Sequence, residues 1–289
     1  MTRNYHQNEL IMTLRILKRD PLSIVGTFIA IFFVGTAAAV TIFGNSIVPY
    51  NPIVINPAIS FLPPSLNHLM GTDNLGRDVF SRVVIAVPID AEIAFAIVGA
   101  SLLIGTLLGS LAGYFGGRVD DLLMRITDLF LAFPSIVLAV AVAVALGPGV
   151  DHVIEAMIVA WWPVYARLAR AGALSLKDKP FVEAARVAGV SGFAIIRKHI
   201  VSNSISSLLV YATLDVGNAI LYASVLSYLG LGAQPPQAEW GRMVYDAQDY
   251  LLHGWWMSVL PGVALFVVAI GFNLLGDALR DTLDPRYRR

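Results

Sequence analysis

Long runs without a charged side chain constrain this chain more than any other feature. Residues 22–43 carry no Asp, Glu, Lys or Arg, and neither do residues 93–117. A helix of about 20 residues crosses the roughly 30 Å hydrocarbon core of a bilayer. Inside lipid the backbone must satisfy its own hydrogen bonds, so such runs are read as helices. Further apolar runs lie at 129–150, 156–166, 204–232 and 255–276. They predict an all-α membrane protein with six spans. Pro134 interrupts the third run, and Asp215 sits inside the fifth. The fourth run is short, with Glu155 and Arg167 at its ends. Charges so placed can reach the interface while the stem stays in lipid. Composition agrees: 14% of residues are charged, against about 25% in a soluble domain.

The basic residues orient the spans. Lys and Arg favour the cytoplasmic side of a membrane. With the N-terminus inside, 17 of the 20 fall in inner segments, and only Arg77, Arg82 and Arg242 fall outside. Both termini are therefore expected in the cytoplasm. The chain divides into a cytoplasmic segment at 1–21, where an interfacial helix is plausible, and a first span at 22–44. An external loop follows at 45–87, then a core of five spans at 88–279 with an inner loop at 171–200, and a tail at 280–289. Pro49, Pro52, Pro57, Pro63 and Pro64 keep the external loop from being a membrane helix. Ala37-Ala38-Ala39 resembles a signal cleavage site, but the run is too long for a signal peptide and is the first of several. It is read as a retained span.

Several functions are excluded. The net charge is zero, which argues against nucleic-acid binding. There are no cysteines, hence no disulfide or thiol chemistry. No phosphate-binding GxxxxGK[ST] loop, HExxH or GxSxG occurs. The sequence offers no catalytic constellation and no metal site. Gly105, Gly109 and Gly113 put small residues on one face of the second span, allowing close helix contact.

The stretch at 181–200 is a polar, basic island between two apolar runs. Pro180 suits the first turn of a helix. Asp178 and Glu183 lie near its positive end. Gly189 can close that helix in the left-handed conformation. Ser191 can cap a second short helix over 192–200. Two short helices with a bend at Gly189 are expected, outside the membrane.

Here the chain resembles a known family. Glu183-Ala184-Ala185, then Arg186 and Gly189, is similar to the EAA loop of ABC-importer permeases. Gly71-Thr72-Asp73 and Gly76-Arg77-Asp78, followed by Ser81-Arg82, resemble the external signature of the dipeptide, oligopeptide and nickel branch, in its C-type subunit. Further similar segments are Ala112-Gly113-Tyr114-Phe115-Gly116-Gly117, Leu226-Ser227-Tyr228-Leu229-Gly230, Trp240-Gly241 and Phe272-Asn273-Leu274-Leu275-Gly276-Asp277. Together they span most of the chain in family order. The resemblance implies the type I importer membrane fold and a coupling role for Glu183, Ala184, Ala185, Arg186 and Gly189. It implies a B-type partner permease, two ATPase subunits that bind ATP and Mg, and an extracytoplasmic solute-binding protein. This chain would bind no cofactor itself and would sit in a prokaryotic inner membrane. Cargo would be peptides; nickel chelates, opines, glutathione or sugar phosphates are the alternatives. A stand-alone secondary transporter or channel is the rival class, disfavoured by the scarcity of intramembrane charge.

Three departures from the family stand out. Ala86-Val87-Pro88-Ile89-Asp90 replaces a segment that commonly carries an Arg, Ala223 replaces a frequent Glu, and Val201-Ser202-Asn203 replaces Leu-Pro-Asn. With Asp90 and Glu92 at the outer end of span two and Asp215 in span five, the expected cargo path is negative and suits a cationic group. Asn218 is expected on that path with them; the alternative for Asp215 is a structural hydrogen bond to Asn218 or to a facing helix.

Overall fold

The computed structural model describes residues 20–283. Helix α1 is Pro21–Phe43, capped by Asp20, whose carboxylate accepts from the Ser23 amide at 2.9 Å. A loop with two short 3₁₀ turns leads to α2, Val79–Phe115. Then come α3, Gly117–Leu131; α4, Ser135–Leu146; and α5, Val150–Leu176. Helices α6, Pro180–Val187, and α7, Gly192–Ile195, form the inner loop. A π-helical turn at Ile196–Val201 joins α7 to α8, Ser202–Tyr228. Helix α9 is Trp240–Ala247, and α10 is Trp256–Leu283. No strand occurs among the described residues.

Four segments are long and apolar enough to cross a membrane: Pro21–Ile47, Val79–Phe115, Gly192–Tyr228 and Trp256–Thr282. The bent pair α3 and α4 makes a fifth. Helix α5 carries Glu155, Arg167 and Arg170 and falls outside that set by composition. Its 27 residues still span about 40 Å.

Three expectations change. The second span begins at Val79, not after residue 87. Asp78 caps it, accepting from the Ser81 amide and hydroxyl, both at 2.7 Å. Pro88 lies inside the helix, where a proline loses one backbone bond without necessarily ending it. The third apolar run is two helices bent by 84°. Pro134 lacks an amide hydrogen and disfavours helix at the residue before it, and α4 at 12 residues spans only about 18 Å. The turn after α2 is made by Gly116 and Gly117, both at positive φ, while Asp120 and Asp121 are already in α3. Finally, 192–200 is no separate helix. It runs without a break into α8, because the π turn keeps the backbone coiled and no Gly or Pro follows to stop it. Ser191 occupies the cap position but makes no side-chain cap bond. The interfacial helix expected before residue 20 and most of the basic tail lie outside the described residues.

Packing follows the small residues. Helix α2 lies along α5 more extensively than any other pair. A Cβ on Gly105, Gly109 or Gly113 would come within 2.1–2.7 Å of α5 atoms, so glycine lets the two backbones touch. Helix α1 crosses α10 in the same way, with Gly26 against Leu274 and Gly271 against Ile29. At the centre Phe33, Trp240 and Phe272 pack ring to ring at 5.9 Å. One apolar core joins α1, α2, α4, α5, α8, α9 and α10. A second, small one lies under the inner loop.

Candidate functional site

Helix α6 ends in a complete Schellman motif. The Val190 amide donates to the Ala185 carbonyl at 3.1 Å, and the Gly189 amide to Arg186 at 3.0 Å. That geometry needs a left-handed residue, and Gly189 has φ +75°. Lys179 stands at the N-cap without a side-chain cap bond, and Pro180 opens the helix. Glu183 lies in the first turn and Arg186 in the last. They pair at 2.9 Å, exposed, a contact that contributes little to stability.

One side of α6 is anchored. Val182 is fully buried, and with Ala185 it packs against Ala173 and Leu176 of α5, Tyr114 of α2, and Ile195 and Ile200. Phe115 stacks edge-on with Tyr114 at 5.2 Å and with Phe193 at 5.8 Å. The loop is thereby fixed to the ends of α2, α5 and α8. The other side is open. Glu183, Ala184, Arg186 and Gly189 are exposed, and beside them Val187 is 82% and Phe193 69% exposed. All five residues expected to act in coupling lie on this one loop, and only Ala185 turns inward. The exposed apolar pair Val187 and Phe193 was not anticipated. Its signal is an apolar residue on the same helix face as Glu183 and Ala184, about one turn on.

The external signature builds a different kind of site. Asp73 accepts from the amides of Leu75 and Arg77, each at 2.9 Å, and from Arg77 Nε at 2.6 Å. Arg82 Nε lies 3.9 Å from Asp73 and Nη1 donates to the Pro52 carbonyl at 3.1 Å. His68 Nδ1 meets Asp78 at 2.9 Å. The Thr72 hydroxyl donates to the Ile59 carbonyl and accepts from the Leu62 amide at 2.9 Å. Gly76 has φ +73°, and a Cβ there would fall 1.9 Å from the Asn56 carbonyl oxygen. Gly71, also at positive φ, touches Trp256, whose indole donates to the Thr72 carbonyl at 3.1 Å. The motif therefore folds the loop and ties it to α10.

The carboxylates expected along a cargo path are not gathered together. Glu92 is exposed on one face of α2. Asp90, buried on another, accepts from the Trp240 amide at 3.4 Å and sits beside Glu239. Glu239 caps α9, accepting from the Gly241 and Arg242 amides at 2.7 and 2.8 Å. Burial pushes the Glu239 carboxyl above the ordinary glutamate range. Glu239 escaped the sequence reading, although an acid directly before Trp240-Gly241 is a cap signal. Asp215 accepts from Trp161 and Tyr165 of α5, and Asn218 approaches it at 3.4 Å. The protein itself supplies its partners, so no cargo cation is needed to hold it. A cleft of about 620 Å³ opens between α5, α8 and α10, lined by Ser175, Asn203, Ser207, Tyr211 and Arg280.

Comparison with known proteins agrees with this architecture. Residues 105–289 match the family model described as a binding-protein-dependent transport system inner membrane component. The chain is 42% identical to a probable D,D-dipeptide transport system permease protein, DdpC, of Escherichia coli K12, over 93% of this chain and 89% of that one. It is 38% identical to the nickel transport system permease protein NikC of the same strain, over 89% and 93%. Solved inward-facing conformations of the MetNI methionine ABC transporter superpose with TM-score 0.58 at 19% identity, covering 71% of this chain and 98% of theirs. With four apolar spans, a bent fifth segment, and relatives of this identity over most of their length, the chain belongs to the family of binding-protein-dependent transport system inner membrane components, the permease subunits of ABC importers.

Proposed function

We propose that this permease couples to ATPase subunits through the open face of α6, and that its cargo is a peptide. The carrying observation is the two-sidedness of the inner loop. One side is locked to α2, α5 and the π turn that leads into α8 by an apolar cluster. The other leaves Ala184 and Val187, three residues apart on one face of α6, to solvent. An apolar patch fixed on a rigid base, rimmed by Glu183 and Arg186, is what a protein partner recognises. The chain has no phosphate loop, so ATP and Mg belong to those partners. A second, B-type permease completes the path, and an external solute-binding protein delivers cargo. Both termini and the α6 loop face the cytoplasm, as the Lys and Arg distribution supports.

Relatives of similar identity are named for D,D-dipeptides and for nickel. Peptide is favoured by the cleft between α5, α8 and α10. Its hydroxyl and amide groups, with Arg280, match the donors, acceptors and terminal carboxylate of a peptide.

The test replaces Val187 with Asp in the assembled complex. Helix α6 has nothing packed on that side, so the subunit should remain folded in the membrane. ATPase subunits should no longer copurify, and transport should stop. Unchanged copurification would refute the docking face. Single cysteines at Leu66, Leu252 and Val187, all highly exposed, test orientation in a chain that has no other thiol. A membrane-impermeant reagent on intact cells should label the first two and spare the third.

A further inference from the structure

The seam between α5 and α8 carries a contact centred on Asp215, Trp161 and Tyr165, which line neither the inner loop nor the cleft. Trp161 and Tyr165 stand four residues apart on α5, so they share a face. Both donate to one oxygen of Asp215: Trp161 Nε1 at 2.6 Å and Tyr165 Oη at 2.9 Å. Asn218, one turn along α8, reaches the other oxygen at 3.4 Å. Asp215 is 3% exposed. On either side of this contact the rings interlock. Trp161 meets Tyr222 edge-on at 4.9 Å, and Tyr165 meets Tyr211 at 5.4 Å. On α8, Tyr211, Asp215, Asn218 and Tyr222 follow one another at helical spacing, so a single stripe faces α5.

Towards the loop the same seam is thin. The cleft opens there between Leu168 and Gly172 of α5 and Ser204, Ser207 and Tyr211 of α8. The helices meet again at one close approach, where a Cβ on Gly172 would lie 3.1 Å from that of Ser204. Continuous packing is therefore missing from the part of the seam nearest α6. A buried carboxylate is costly to place and strongly held once its donors are in position. Here two of its three donors come from the opposite helix.

Helices α5 and α8 are also the two elements from which the inner loop hangs. α5 ends just before α6, and α7 runs on into α8. We infer that Asp215 is a positioning residue that clasps α5 to α8, so that the pair moves as one body when α6 is displaced. Without the clasp, a push on the loop would open the cleft instead of moving the outer ends of the helices. This inference rests on the permease reading above.

The experiment uses the complete transporter in proteoliposomes and reads solute moved per ATP hydrolysed. Asp215→Leu removes the acceptor. It should lower that ratio about fivefold or more, the size of a modest coupling energy, with complex yield and basal ATP hydrolysis retained. Asp215→Asn keeps one carbonyl acceptor and should lose less. Trp161→Phe with Tyr165→Phe removes the donors and should behave like the Leu variant. A second arm joins Gly172→Cys and Ser204→Cys, whose spacing suits a disulfide after a small adjustment; the chain has no other cysteine. Both positions line the cleft, so the pair is read only within one protein: oxidised, it should raise the ratio in the Asp215→Leu background above that of its own reduced form. A normal ratio in Asp215→Leu would overturn the clasp. So would a ratio in the Asp215→Leu background that stays as low after oxidation as before it. If Asp215→Leu fails to assemble, Trp161→Phe with Tyr165→Phe decides in its place: a normal ratio there overturns the clasp. Absence of ATP-driven transport by the unaltered complex would overturn the permease reading itself.

Discussion

The external loop and the inner loop are both short polar segments between apolar helices, yet they are built on opposite principles. The external loop buries its polar groups. Asp73, Arg77, Asp78 and Arg82 are all buried, and they are joined by hydrogen bonds within and just beyond the loop. The inner loop buries only apolar groups and leaves Glu183 and Arg186 in the open. A segment that spends its polar side chains on itself has few left to offer a partner, whereas one held by a few aliphatic contacts keeps an entire face free. Family resemblance in the two loops therefore carries different information: in the first it specifies a fold, in the second a surface.

This contrast can be broken most forcefully at Asp73. Asp73→Ala leaves the Arg77 and Arg82 guanidiniums buried without their shared carboxylate. Loss of one partner of a buried pair costs about 3–5 kcal/mol. Thermal unfolding of the purified subunit should fall sharply, and its level in the membrane with it. A variant as stable as the unaltered chain would mean that the network is not what holds this loop.

The same substitution in both loops sharpens the comparison. Gly76 and Gly189 both sit at positive φ, but a Cβ at 76 would strike the Asn56 carbonyl while one at 189 meets open space. Gly76→Ala combines overpacking against backbone with conformational strain, about 3 kcal/mol in all. Gly189→Ala carries the strain alone, about 1 kcal/mol. Unfolding measurements should rank them in that order. Their functional rank should be reversed, because distortion at Gly189 tilts the docking face. For that reason Gly189→Trp, bulkier still but with room for its ring, should leave the subunit in the membrane and abolish substrate-stimulated ATP hydrolysis by the assembled complex. Undiminished stimulation would remove the inner loop from the coupling pathway.

The smallest expected effect is at Arg186. Its pair with Glu183 is about half exposed on each side, and such pairs contribute roughly 0–1 kcal/mol. Arg186→Ala should not measurably change thermal unfolding. Any fall in ATPase copurification would then report a contact with the partner, and an equal stability loss would show instead that the exposed face is structural.

By itself the sequence determined what depends on a few neighbouring residues. The length of an uncharged run decides whether a helix can cross lipid, and Gly189 in a left-handed cap follows from the residues around it. Asp73 and Arg77, four residues apart and paired, lie within the same local reach, although the sequence marked them only as part of a family signature. Only the tertiary structure decided which distant groups meet. Asp90 and Glu239 are brought side by side from distant parts of the chain, and Asp215 finds its donors on another helix, at positions 161 and 165. It also decided that Pro88 is tolerated within α2 while Pro134 breaks the chain into α3 and α4 at 84°. A proline in a helix interior removes one backbone hydrogen bond and crowds the preceding turn, whereas at a helix start it removes none. Whether the helix survives depends on what packs around the gap, and local sequence carries no record of that.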